Sequence, residues 1–361
     1  MAFKLKIIYL FFLLFILFLF IKFKKYYINY NKNLNRLYLS KEFNKIYSSL
    51  YFAAKNGQII NPIYNKNYTA KIYNDKKING LCLCTIGKKE NLYAREFVEY
   101  YEHLGFNKII IFDNNDLEDE KLEEVLEDYI QNKFVEIIDI RGISSVQIPA
   151  FNFCYHKFKN IFDWIAFFDF DEYLFFKDFK TINDYIYNKK FQNCQSIHFN
   201  WYFYDDNDLV KYDERKIIER FNRPKMIVER VKSLVRGGID NLLIVSSNAI
   251  AININYFCNS NGTRVFPKTF HDISFPSNNK AYIKHFYTKT AQEFCIKMIK
   301  GDVQFHNKHP NYDDIMNNKL KLFFIINEKT MLKIKILEKC LNLDLTYFKN
   351  MLNQTKTINS G

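Results

Sequence analysis

The chain has 361 residues, of which 48% are hydrophobic and 25% charged. That usage is ordinary for a globular protein and excludes bulk disorder, collagen-like repeats and a small disulfide-stapled scaffold. Lys and Arg outnumber Asp and Glu by 52 to 39, a formal net charge of +13. The basic residues are dispersed and no RNA- or DNA-binding signature accompanies them, so no nucleic-acid partner is expected.

Residues 7–21 read IIYLFFLLFILFLFI, without a charge. As a helix this run reaches about 22 Å, and Phe3, Phe23 and snorkelling lysines extend it toward the roughly 30 Å of a bilayer core. No small-residue cleavage site follows, so an uncleaved anchor over 1–25 is expected, with membrane as a partner. Lys22, Lys24, Lys25, Lys32 and Arg36 make the following flank the more basic one. The positive-inside rule then places the body in the cytoplasm, with a type II lumenal arrangement as the alternative. The seven cysteines sit mostly in apolar stretches and lack a zinc-type spacing. They read as buried reduced thiols, in agreement with a reducing compartment.

Residues 26–78 are rich in Tyr, Asn and Lys and weakly periodic, and read as a stem. Strand–helix alternation begins at 79. The run 81–86 (LCLCTI) is an apolar strand. Ala94, Phe97, Val98, Tyr101 and Leu104 repeat at helical spacing, and Gly105 ends that helix. Residues 108–112 form a second strand. Leu122, Val125, Leu126, Tyr129 and Ile130 stripe a second helix, 134–138 is a third strand, 149–160 is helical and 164–168 is a fourth strand. Short loops between such units predict an α/β fold with a mainly parallel sheet flanked by helices. Ligands then bind beyond the carboxyl ends of the strands. A domain over 79–310 and a C-terminal helical extension over 311–361 complete the organisation.

The string WIAFFDFDEYLFF, residues 164–176, runs a buried strand into Asp169-Phe170-Asp171-Glu172. Residues i and i+2 of an extended chain point the same way, so Asp169 and Asp171 address one point. Two carboxylates there repel unless a cation compensates. Hard oxygen donors of this kind suit Mg²⁺ or Mn²⁺ shared with a substrate phosphate.

WIAFFDFDEYL resembles the DxD segment of glycosyltransferase family 92 and of related family 2-like enzymes. The likeness continues in order. CTIGKKENLYAREFVEYYEHLGFNKIIIFDNND resembles the family's opening segment, and IPAFNFCYHKFKNIFDWIAFFD the approach to DxD. HFNWYFYDDND, IIERF and VKSLVR resemble the central stretch, and IKHFYTKTAQEFCIKMIKG a late one. Departures are Gly87-Lys88-Lys89-Glu90 in place of a Lys-Asn-Glu string, Tyr204-Asp205-Asp206 in place of Phe-Gly, and Arg236-Gly237 in place of Arg-Pro.

The resemblance implies a GT-A, Rossmann-type fold. It also implies a membrane-anchored, metal-dependent glycosyltransferase that moves a sugar from a nucleotide sugar, UDP-linked, to a glycan or glycolipid with inversion. Asp169, Asp171 and His285 are then the ligands of a divalent cation, Mn²⁺ or Mg²⁺. Thr85, Glu90, Asp113, Asp169, Lys232 and Arg236 bind the donor, the last two basic residues neutralising its diphosphate. Asp205, Asp206 and Asp208 are the candidate catalytic bases, and Trp201 a candidate acceptor platform. A nucleotidyl or phosphoryl transferase using the same carboxylates is a competing reading, but neither a glycine-rich phosphate loop nor a Walker Lys is present. A non-catalytic glycan-binding protein is the other.

Overall fold

A computed structural model describes residues 80–343 except 144–145, 270, 274–276, 278 and 301–311, together with 345, 346 and 349. The apolar run at 7–21 and the stem lie outside these residues. Among the described residues no helix is long and apolar enough to cross a membrane.

The first half alternates as its periodicities predict: β1 (Leu81–Gly87), α1 (Asn91–His103), β2 (Lys108–Asp113), α2 (Glu123–Gln131), β3 (Val135–Asp139), α3 (Gln147–Phe158) and β4 (Trp164–Phe167). There follow β5 (Glu172–Phe176), α4 (Ile182–Ile186), β6 (Ser196–Tyr204), α5 (Ile217–Arg220), β7 (Pro224–Arg236), β8 (Leu243–Ile244), β9 (Ala251–Ile252), β10 (Phe257–Asn259), β11 (Arg264–Val265) and β12 (Ala281–His285). Three helices close the described chain: α6 (Ala291–Lys300), α7 (Tyr312–Ile326) and α8 (Met331–Leu341).

The main sheet has the order β11-β10-β6-β7-β4-β1-β2-β3, with β12 pairing both β5 and β6. Strands β3, β2, β1 and β4 are mutually parallel. Strand β7 is antiparallel to both β4 and β6. The α/β expectation therefore holds, but the sheet is mixed rather than mainly parallel. Once the chain leaves β6 it returns through a loop bearing only the short α5 and pairs directly alongside, instead of crossing over a full helix.

Alternation across the sheet explains the two-sided apolar strands. Leu81 and Leu83 of β1, with Ile109 and Ile111 of β2, face one core, while Cys82, Cys84, Ile110 and Phe112 face the other. A parallel strand covered on both faces reads as a continuous apolar run for this reason. A third cluster, including Phe294, Leu320, Phe323, Ile334 and Leu337, holds α6, α7 and α8 together.

The cysteines correct the sequence expectation. Cys84–Cys154, Cys194–Cys258 and Cys295–Cys340 are disulfides, with Cα atoms 6.5, 5.8 and 6.3 Å apart, separations such bonds span. Only Cys82 is a free thiol, and it is buried. The bridges join β1 to α3, the approach to β6 to β10, and α6 to α8. Each partner lies far away in sequence, so apolar surroundings alone did not distinguish a bridge from a buried thiol.

Candidate active site

Strand β4 ends at Phe167, and Asp169 follows two residues beyond it. Antiparallel β7 sets Ser233 opposite Phe167, so Lys232 is the next β7 residue to meet the chain as it leaves β4. Its ammonium, fully buried, lies 2.7 Å from Asp169 Oδ2 and 3.3 Å from Glu172 Oε2. Gln147, at the start of α3, donates to Asp169 Oδ1 at 3.0 Å. The Asp169 N–H donates to Glu172 Oε2 at 2.9 Å. Asp169 is thus held from three sides.

Phe170, between the two aspartates, turns into the core against Phe97, with ring centroids 4.7 Å apart. Gly87 makes room for it, because a Cβ at that position would stand 2.7 Å from Phe170 Cε2. The departure at Gly87 is therefore a packing requirement of the carboxylate turn.

Asp171 meets α6 and β12. Lys297 Nζ lies 2.7 Å from Asp171 Oδ2, and His285 Nε2 lies 3.6 Å from Oδ1. Register places the histidine, since β12 pairs His285 with Glu172 on β5 and with Phe203 on β6. Burial raises the Asp171 pKa, but Lys297 and then His285 outweigh it and hold the carboxyl well below the ordinary range. Burial lowers the His285 pKa, only partly opposed by Asp171, and favours the neutral imidazole. Glu172 is fully buried, and burial pushes its pKa well up.

These groups surround one cleft. Its lining includes Lys88, Glu90, Asp169, Asp171, Trp201, His285, Lys297 and Lys300. Of the predicted site residues, Glu90, Asp169, Asp171, His285 and Trp201 are brought together. Glu90 pairs with Lys300 across the cleft. Trp201 packs its ring 4.4 Å from that of His285.

The others are not in the lining. Thr85 is buried within β1. Asp113 is fully buried and spends its oxygens on its own loop, accepting from the N–H groups of Asn115 at 2.9 Å and Leu122 at 3.2 Å. Lys232 lies behind the cleft. Arg236 donates to the carbonyls of Cys194 and Phe191 at 2.9 and 3.1 Å and stacks on Trp164. Gly237, which follows it, is required by contact: a Cβ there would stand 2.1 Å from the Phe162 carbonyl oxygen.

The three candidate bases also lie elsewhere. Asp206 is buried against Lys333 at 2.7 Å. Asp205 and Asp208 are both bridged by Arg223, at 2.9 and 2.8 Å, and line a second pocket with Asn222 and Glu328. Pairing with a fixed cation, not the loop's acidity, decides their surroundings.

The cations of the cleft, Lys297 and Lys300, escaped the sequence reading. A signal for them existed. Thr290-Ala291-Gln292-Glu293 is a capping box, and Thr290 Oγ1 accepts from the Glu293 N–H at 3.2 Å while Glu293 Oε2 accepts from the Thr290 N–H at 3.3 Å. It starts α6 and sets Lys297 and Lys300, three residues apart, on one face.

Carboxylates and an imidazole are donors a divalent ion accepts. Among the described residues, however, no three His, Cys, Asp or Glu side chains are grouped as metal ligands. Lys232 and Lys297 occupy Asp169 Oδ2 and Asp171 Oδ2. The donors fit such an ion in kind but not in arrangement.

Residues 79–238, a little under half of the chain, match the model of glycosyltransferase family 92. A protein of Oryza sativa subsp. japonica named as a glycosyltransferase family 92 protein is 27% identical over 127 residues, 35% of this chain and 20% of that protein. A Ricinus communis protein of the same family name is 22% identical over 163 residues, 45% of this chain and 29% of its own. The matched stretch thus spans less than a third of the length of these relatives. Among solved structures, Staphylococcus aureus TarS is similar at a TM-score of 0.33 and 10% identity, covering 69% of this chain and 44% of that one. The family resemblance drawn from the motifs is borne out by the family model and the two plant relatives.

Proposed function

We propose that this chain, whose residues 79–238 form a glycosyltransferase family 92 domain, transfers a sugar from a nucleotide sugar, UDP-linked, to a glycan or glycolipid, with inversion and on a GT-A-like scaffold. The observation that carries the reading is the convergence of Asp169 and Asp171, with facing cations, on one cleft beyond the carboxyl end of β4. Ligands of open α/β sheets bind at that end. In the transfer, negative charge builds on the departing diphosphate. Fixed cations in a partly desolvated cleft stabilise that charge more than water does. Asp169, locked by Gln147 and Lys232, offers a rigid acceptor for donor hydroxyls, and Trp201 offers an apolar wall to a sugar ring.

The three disulfides support an oxidising compartment, and so the type II lumenal arrangement, with the 7–21 run as the anchor. The test is incubation of the purified protein with a panel of nucleotide sugars, with Mn²⁺ or with excess chelator, reading release of nucleoside diphosphate. Release from one donor, enhanced by an acceptor glycan, is expected; loss in chelator would establish the divalent ion. No release from any donor under either condition, by folded protein, would overturn the transferase in favour of a glycan-binding role.

A further inference from the structure

Two helices beside the cleft leave aliphatic side chains uncovered. Ile296 and Ile299 of α6 are 51% and 60% exposed, and Leu332 of α8 is 58% exposed, with Ile336 half-buried one turn further on. Residues three and four apart share a helical face, so each pair forms a row. The Cys295–Cys340 bridge brings the two rows together. Ile299 lies one turn after Cys295 on α6, while Ile336 and Leu332 lie one and two turns before Cys340 on α8. The inner sides of the same helices are filled by Phe294, Met298, Ile334 and Leu337, so the exposed rows are surplus to the packing.

Charge on these faces has one sign. The exposed residues of α6 are Gln292, Ile296 and Ile299, and those of α8 are Leu332, Lys335 and Lys339, without an acid among them. Lys335 and Lys339, one turn apart, flank the Leu332–Ile336 row and have no carboxylate partner among the described residues. Glu338, next to Lys339, is paired with Lys349 instead. Aliphatic side chains beside lysines are the composition of a helix surface that enters the headgroup boundary of an anionic bilayer. A second copy of the chain is a poor occupant. A twofold contact would set these lysines against their counterparts, and each chain carries a formal charge of +13.

We propose that the exposed faces of α6 and α8 dock on an anionic lipid bilayer, with Ile296, Ile299, Leu332 and Ile336 entering the headgroup boundary and Lys335 and Lys339 meeting lipid phosphates. This contact is separate from the 7–21 run expected to anchor the chain. It adjoins the cleft, because Lys300, one turn from Ile296 on α6, is part of the cleft lining. The docking face does not depend on the transferase reading.

The test uses the full chain reconstituted in two bilayers, phosphatidylcholine alone and an equimolar mixture of phosphatidylcholine and phosphatidylglycerol. The 7–21 run would hold the chain on either, so the readout is local: the acylation rate of each lysine, followed by mass spectrometry. Lys335 and Lys339 should react about 10-fold more slowly on the phosphatidylglycerol bilayer, the scale of two lysines at an anionic surface. High salt should abolish the difference. Lys133 and Lys180, exposed on other parts of the fold, should react alike on both bilayers. The double variant Ile296→Asp/Ile299→Asp should lose the protection at an unchanged melting temperature. Should it fold poorly, the comparison of the two bilayers on wild type decides alone. Equal rates for Lys335 and Lys339 on the two bilayers, or a slowing shared by Lys133 and Lys180, overturns the proposal. Protection of the pair in detergent, without a bilayer, assigns the face to a second copy and overturns it too. Release of nucleoside diphosphate without this protection leaves the transferase and removes the docking face; protection without release does the reverse.

Discussion

Arg220 and Glu293 form a buried, two-pronged ion pair, with one guanidinium nitrogen 3.0 and 2.9 Å from the two carboxylate oxygens and both side chains 1% exposed. It joins α5 to the start of α6, the helix that carries Lys297 and Lys300 into the cleft. Glu293→Gln retains volume but leaves the guanidinium without a counter-charge. Breaking a buried pair from one side costs about 3–5 kcal/mol. Urea unfolding of wild type and variant should show that loss, and a variant as stable as wild type would contradict the pairing.

The same pair predicts an acid dependence. Burial raises the Glu293 pKa, but hydrogen bonds and charge from Arg220, with Thr290, bring it below the ordinary 4.5. A carboxylate depressed on folding contributes stability that is present above its unfolded pKa and lost as pH falls through the folded one. Melting temperature should therefore drop in wild type as the pH is lowered below about 4.5. In Glu293→Gln this part of the acid slope should be missing. Parallel pH profiles for the two proteins would refute the assignment.

For Asp171→Asn, repulsion between two carboxylates alone predicts unchanged or improved stability. The ion pair with Lys297 at 2.7 Å reverses that expectation. Removing the charge strands a partly buried ammonium, and a loss of about 2 kcal/mol is expected. Under the proposed sugar transfer, turnover should fall about 10²-fold, the scale of losing one strong electrostatic contact. The double variant Asp171→Asn/Lys297→Met should recover stability and not turnover. Stability losses that simply add in the double variant would show that the two residues are uncoupled.

Thiol chemistry tests the disulfides directly. Alkylation of the folded protein should label no cysteine, and alkylation after denaturation without reductant should label one, Cys82. Added reductant should expose all seven cysteines and lower the melting temperature, since each native bridge contributes about 2–5 kcal/mol. Seven reactive thiols before reduction would restore the reduced-thiol reading.

Sequence alone determined what short-range periodicity encodes. The strand expected at 108–112 is β2 (Lys108–Asp113), the one expected at 164–168 is β4 (Trp164–Phe167), and the helix striped by Phe97 and Tyr101 is α1. The Asp169/Asp171 turn was legible because a buried apolar strand ran straight into it. Tertiary structure alone decided which charges meet that turn. Lys232, Lys297 and His285 come from β7, α6 and β12, remote in the chain, and reach Asp169 and Asp171 through strand register and helix docking. Asp205, Asp206 and Asp208 look as acidic in the sequence as the site pair, yet Lys333 of α8 pairs with Asp206, and Arg223, just before β7, with Asp205 and Asp208, in other surroundings. The disulfides close separations of 70, 64 and 45 residues, over which local pattern carries no information about partners. Apolar periodicity acts within one helix or strand, whereas a charge's role depends on its neighbours in space, and folding supplies those from elements that no local pattern connects.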